Sequence, residues 1–255
     1  MTLRHCPTLC AIAVLGGLAL LAVSCGGGDS STPTPTSSPP PTSTANPDRQ
    51  VEVVKYGYTE NFSTLFNSFG CGLTVHNKSK TEGAQAVEWR ANFTDANGTL
   101  VGQAEGTIHA LFPDETRGIS PCNGVTSPVN ATIAQMQVGV HVCDTCWQTV
   151  ITGKRPSTTV TDIDRRLKTL YTATGTATNP FGVELKNVFI AVLIYNAAGE
   201  IIASNGVALD SIPPGATVPW SSQVYVNFED NSVIDHVEAY IEPQLLKFDE
   251  VTAEP

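Results

Sequence analysis

From Val87 to Thr94 the chain reads Val-Glu-Trp-Arg-Ala-Asn-Phe-Thr, apolar and polar in strict alternation. A period of two turns one set of side chains to each face of a strand, so Val87, Trp89, Ala91 and Phe93 are expected inside and Glu88, Arg90, Asn92 and Thr94 in water. Asp95-Ala96-Asn97-Gly98 supplies a hairpin turn, and Thr99-Leu100-Val101 starts the returning strand. The same grammar returns at an offset of 101 residues: Val87 falls on Val188, Gly98 on Gly199 and Pro113 on Pro214. The second strand runs from Val188 to Tyr195, its turn is Asn196-Ala197-Ala198-Gly199, and Glu200-Ile201-Ile202 leads back. Each copy then reaches a proline turn, Phe112-Pro113-Asp114 or Pro213-Pro214-Gly215.

Earlier in each copy a strand ends in an Asn-containing turn, Asn77-Lys78 and Asn179-Pro180. Opening strands are expected near Val51 to Tyr58 and Thr159 to Arg166, and closing strands near Gln137 to Val142 and Asp235 to Glu242. Short strands at this spacing, with no helical period, predict an all-β chain of two tandem antiparallel sandwiches of immunoglobulin-like architecture. The boundaries that follow are 49–152 for the first domain, 153–248 for the second and 249–255 for a tail.

The second copy resembles the FxLYD domain, a small β-sandwich of bacterial and archaeal envelope proteins. Val192-Leu193-Ile194-Tyr195-Asn196 stands at its central-strand motif, followed by Ala197-Ala198-Gly199 and by Ile212-Pro213-Pro214-Gly215. Val192 replaces the family's Phe and Asn196 its Asp; the first copy, with Ala91-Asn92-Phe93-Thr94-Asp95, is a more distant relative. The resemblance implies an extracytoplasmic, non-catalytic module without a general ligand.

Ahead of the β-rich part the pattern changes. Arg4 and His5 precede an apolar run from Leu9 to Val23, too short to span a bilayer as a helix but suited to a signal-peptide core. Leu21-Ala22-Val23-Ser24-Cys25 then reads as a lipobox, which places a signal peptide at 1–24 and makes Cys25 the expected lipidation site. Residues 25–48 are nearly all Gly, Ser, Thr and Pro, a composition that cannot bury enough apolar surface to offset the cost of ordering, so a solvated tether is expected. The protein is expected outside the cytoplasm, held to a bacterial membrane by its lipid; whether inner or outer is left open.

Composition narrows the partners. The formal net charge is -10 and no basic cluster occurs, which disfavours nucleic acid and electrostatic docking on anionic lipid. A protein or polysaccharide of the envelope is the expected partner. Cys71, Cys122, Cys143 and Cys146 form an even set beyond the leader and fit an oxidising compartment. Strand topology favours a Cys71–Cys122 bond, with Cys143 and Cys146 closing a local loop.

The Cys143-Asp144-Thr145-Cys146 sequence also has the spacing of a redox pair, but no thioredoxin-like βαβ pattern surrounds it, so a structural staple is favoured. His141, Cys143 and Cys146 lack a fourth zinc ligand, and His76, His109 and His236 are dispersed. Asp162, Asp164, Glu229, Asp230 and Asp235 lack the spacing of a calcium loop, and Trp89 and Trp220 are expected in the core. No catalytic residue, metal or cofactor is expected.

One contrast between the copies stands out. Where the first copy turns Glu88, Arg90, Asn92 and Thr94 outward, the second turns Phe189, Ala191, Leu193 and Tyr195, an apolar stripe that something must cover. Burial by the second copy's own strands or loops is favoured, with domain packing or a partner as alternatives. Phe189, Leu193 and Tyr195 thus form the candidate interaction face. The functional expectation is a lipid-anchored, non-enzymatic module for binding, scaffolding or adhesion. Its rivals are an envelope thiol-disulfide protein and an accessory subunit of a transport or secretion complex.

Overall fold

The computed structural model describes residues 48–63, 68–120, 132–150, 153–167, 170–225 and 234–252. Among them lie β1 (Val51–Ser63), β2 (Ser68–Asn77), β3 (Glu82–Thr94), β4 (Leu100–Leu111), β5 (Thr116–Ile119) and β6 (Gln135–His141). A 3-10 turn at Asp144–Cys146 and β7 (Trp147–Thr149) complete the first half. The second holds β8 (Ser157–Leu167), β9 (Leu170–Thr178), β10 (Leu185–Tyr195), β11 (Ile201–Ile212), β12 (Thr217–Tyr225), β13 (His236–Pro243) and a short helix, α1 (Phe248–Thr252).

The strands pair antiparallel into sheets of order β1-β2-β5, β4-β3-β6, β12-β9-β8 and β11-β10-β13, with β7 also pairing β3. Each half is therefore a sandwich, strands one, two and five of the half facing strands three, four and six. Cys71, Leu73 and Val75 of β2 meet Val87, Trp89, Ala91 and Phe93 of β3 in the first core. In the second, Ala173, Ala177 and Trp220 meet Val188, Ile190 and Val192.

The 101-residue offset reaches the backbone itself. Positive φ angles occur at Ala86 (50°) and Asn187 (47°), at Gly98 (78°) and Gly199 (72°), and at Asp114 (54°) and Gly215 (66°), every pair at that offset. The hairpin turns are built alike: Oδ1 of Asp95 accepts from the N–H groups of Asn97 and Thr99, and Oδ1 of Asn196 from those of Ala198 and Glu200. Such side-chain mimicry of a turn is what Asp and Asn do best.

The two Asn-containing turns are also equivalent. Asn77 Nδ2 donates to the carbonyls of Glu82, Leu111 and Phe112, and Asn179 Nδ2 to those of Val183, Ile212 and Pro213. Oδ1 accepts from the Ser79 N–H in the first case and the Phe181 N–H in the second. Both asparagines are fully buried. Each satisfies four backbone groups where β2 or β9 ends beside the end of β4 or β11.

Residues 44–255 form one compact unit, and a buried seam joins its halves. Sheet β1-β2-β5 lies on sheet β11-β10-β13, and the glycines of the first set the distance. A methyl group at Gly72 would stand 2.7 Å from Ile201 Cγ2 and 2.9 Å from Leu193 Cδ2; at Gly118 it would stand 2.3 Å from Tyr240 Cδ2. At Gly57 it would meet the backbone carbonyl oxygen of Ile201 at 2.0 Å. Missing side chains on one sheet thus receive Leu193, Ile201 and Tyr240 of the other. β2 and β10 are consequently buried on both faces, as in a sheet packed between two layers.

Polar contacts fix the seam laterally. Ser204 Oγ donates to the Cys71 carbonyl and lies 2.8 Å from Ser120 Oγ. Lys55 Nζ donates to the Gly199 carbonyl at 2.6 Å and sits 5.4 Å from the Tyr195 ring centroid. Further along, Phe112 stacks on Phe181 with centroids 6.1 Å apart and meets Phe248 edge-on at 5.1 Å. Phe248 and Val251 of α1 are buried in the second core, Phe248 over the bare position Gly83 beside Val150, so the core takes in Val251 from the 249–255 segment read as tail from sequence.

Candidate functional site

The outer face of sheet β4-β3-β6 is the open counterpart of the seam. Register brings Thr107, Glu88 and His141 into one row across three strands, and Glu105, Arg90 and Gly139 into the next. Between them lies an open cleft of ≈ 590 Å³ lined also by Gly106 and Val140 and reaching the edge of Trp89. Trp89 itself points inward and is 8% exposed, as its place in the alternation requires.

The two floor glycines have different causes. At Gly106 a methyl group would sit 2.6 Å from Trp89 Cζ2, so the indole needs that glycine. The ring covers an otherwise bare strand position, as Phe189 covers Gly206 and Trp220 covers Gly175 in the second half. At Gly139 a methyl group would meet nothing within 4 Å, and the position is not one of positive φ.

Electrostatically the cleft is mixed. Arg90 pairs with Glu105 at 3.0 Å, both exposed, and Gln103 Nε2 donates to the same carboxylate at 3.3 Å. Glu88, Thr107 and His141 add a carboxylate, a hydroxyl and an imidazole within one strand row. The face can therefore donate and accept many hydrogen bonds at once, around a single guanidinium already engaged by a carboxylate.

The interaction face expected at Phe189, Leu193 and Tyr195 resolves differently from its favoured reading. Leu193 and Ile201 are buried against the first half, at Gly57, Gly72 and Gly118, whereas the buried Tyr195 is covered from both sides, by Lys55 of the first half and by His236 of the second half's own β13. Phe189 leans over Gly206 and stays half-buried. Burial pushes the Tyr195 hydroxyl well above the ordinary phenol range, assisted by Tyr240 and Glu238, and Tyr240 is raised for the same reason. Both stay neutral donors inside the seam. His236 stacks on the Tyr195 ring at 4.7 Å and pairs with Asp235 at 2.8 Å.

The cysteines separate into two groups. Cys143 and Cys146 are joined across the 3-10 turn with Cα atoms 5.2 Å apart, a staple just before β7. Cys71 is fully buried and disulfide-bonded, with its partner outside the described residues; Cys122 and Cys25 lie outside them too. Among the described residues no group of three His, Cys, Asp or Glu side chains could hold a metal ion. His76 approaches Asp114 at 3.6 Å and His109 approaches Glu242 at 3.3 Å, the latter linking the two halves. His141 is the one histidine in the cleft.

Sequence reasoning passed over Gly57, Gly72, Gly118 and Gly139. The available signal was glycine inside strand patterns, which marks close approach of another group.

No protein-family model matches the chain, and no curated protein matches it. Among solved structures, a beta-glucuronidase from glycoside hydrolase family 2 aligns at 9% identity over 62% of this chain, with a TM-score of 0.22. A calcium-binding mutant of Bacteroides uniformis beta-glucuronidase 2 aligns at 10% identity over 69%, with a TM-score of 0.20. The chain spans 20% and 28% of those two proteins' lengths, and similarity at these scores carries no functional argument. What the fold defines is a class: an all-β, antiparallel sandwich protein.

Proposed function

We propose that this is a lipid-anchored protein of the bacterial cell envelope, in which two non-catalytic, FxLYD-like sandwiches present a binding surface at the end of a flexible tether. The observation that carries the anchoring is the order of segments: an apolar leader, Leu21 through Cys25, then a Ser/Thr/Pro tether, then β-structure. The Cys143–Cys146 bond supports residence in an oxidising compartment. For binding, the support is the contrast between faces. The apolar face of the second half is consumed by the first, while the open polar face of sheet β4-β3-β6 stays accessible.

Cys25→Ser tests the anchoring. Wild-type protein grown with a labelled fatty acid should carry the label and partition into detergent, whereas the variant should be unlabelled and either unprocessed or shed. Equal labelling of the two would overturn the proposal.

A further inference from the structure

We infer that the cleft over β3, β4 and β6 binds a neutral, hydroxyl-rich polymer, a glycan chain laid across Glu88, Arg90, Glu105, Thr107 and His141. This rests on the binding-module reading above and names the ligand class for it.

The first observation is internal. In the second half the equivalent face takes up another sheet through Leu193, Tyr195, Ile201 and Tyr240. At the 101-residue offset these positions are Asn92, Thr94, Leu100 and Gly139 in the first half. The fold thus docks a partner on this face once within the chain; here the same face has Asn92 and Thr94 in place of Leu193 and Tyr195 and the bare Gly139 in place of Tyr240, while Leu100 stays apolar and exposed.

The second observation is Gly139. A glycine within a strand costs about 0.5–1 kcal/mol relative to alanine. Neither packing nor backbone conformation requires it, since a methyl group there would meet nothing within 4 Å. A bare position in a strand leaves room for a ligand to come close to the backbone, and Gly139 offers that room. With Tyr240 as its counterpart, the bare position is also what makes the floor of the cleft.

The chemistry then selects the ligand. An apolar protein face would bury Glu88, Thr107 and His141 without partners, at about 1–3 kcal/mol for each unsatisfied group. An anionic polymer would meet two carboxylates and one arginine already paired at 3.0 Å. A metal ion would find too few ligands among the described residues. A neutral polyol satisfies side chains that both donate and accept, and ≈ 590 Å³ lies within the about 300–1,000 Å³ usual for small-ligand sites.

The test uses full-length protein in detergent, with neutral hexasaccharides of glucose and of N-acetylglucosamine as probes and polygalacturonate as the anionic control. Wild type should bind a neutral probe in preference to the control. Gly139→Thr should hold or raise the denaturation midpoint while weakening binding at least tenfold, and Glu88→Ala, at an exposed position, should weaken it similarly in folded protein. Equal binding by wild type and both folded variants overturns the inference, as does preference for polygalacturonate or no neutral binding at millimolar concentration. If Gly139→Thr unfolds the protein, glycine there is structural and the inference fails on its second observation. A photoreactive group at position 107 that crosslinks an envelope protein, with no glycan bound, ends the glycan assignment and leaves the binding-module reading standing.

Discussion

Gly118→Ala places a methyl group where the structure has Tyr240 Cδ2 at 2.3 Å, Tyr240 Cε2 at 2.5 Å and Leu193 Cδ1 at 2.8 Å. All three distances are shorter than side chains tolerate, so the sheets must part or the ring must swing out. Overpacking of this kind costs about 1–3 kcal/mol, and for a unit of this size each kcal/mol lowers the melting temperature by about 2–4 °C. Tyr240 is half-buried, so Tyr240→Ala alone should cost about 1–2 kcal/mol of lost apolar burial. The double variant removes most of the obstacle and should be less destabilised than the sum of the singles by about 1–2 kcal/mol. Gly57→Ala is the control: its obstacle is the Ile201 backbone oxygen at 2.0 Å, which no side-chain truncation removes. Scanning calorimetry of the four proteins gives the cycle, and a single cooperative transition that splits in two would show the halves separating. Additivity of Gly118→Ala and Tyr240→Ala within about 0.5 kcal/mol would refute the seam geometry.

The two hairpins should answer differently to acid. Hydrogen bonds from the Thr99 and Asn97 backbone hold the Asp95 carboxyl below its usual 3.8, so the stabilisation it lends is present above that value and lost as pH falls through the folded pKa. Protection factors at residues 95–99, exchange rates taken relative to the intrinsic rate at each pH, should fall below pH 3.8 while those at residues 196–200, where Asn196 does not titrate, stay unchanged; parallel behaviour would contradict the assignment. Asn179→Ala strips donors from three carbonyls and the acceptor from the Phe181 N–H, and urea unfolding should show a loss of about 2–3 kcal/mol. A loss under about 0.5 kcal/mol, as at an ordinary surface position, would mean that water replaces those bonds.

Much of each half was legible because its signals are local. The alternation from Val87 to Thr94, the turn residues Asp95 to Gly98 and the prolines at 113 and 214 each act within a few residues of themselves, and each sits where expected. The offset of 101 was readable from Gly98 and Gly199; its third expression, the left-handed pair Ala86 and Asn187, was not, because alanine gives no sign of positive φ. Trp89 and Trp220 fell inside because an aromatic at an inward position of an alternating strand has one place to go.

The sequence by itself determined the all-β class, the repeat, the hairpins and the inward faces, since a period of two and a turn signal constrain the backbone directly. Only the tertiary structure decided what covers Leu193 and Tyr195. That depended on Gly57, Gly72 and Gly118, distant in sequence and apolar only by omission, standing opposite Leu193, Ile201 and Tyr240 across the seam. A glycine in a strand announces that something comes close without saying what. At the seam the answer is the other half of the chain, and at Gly139 the position stands open.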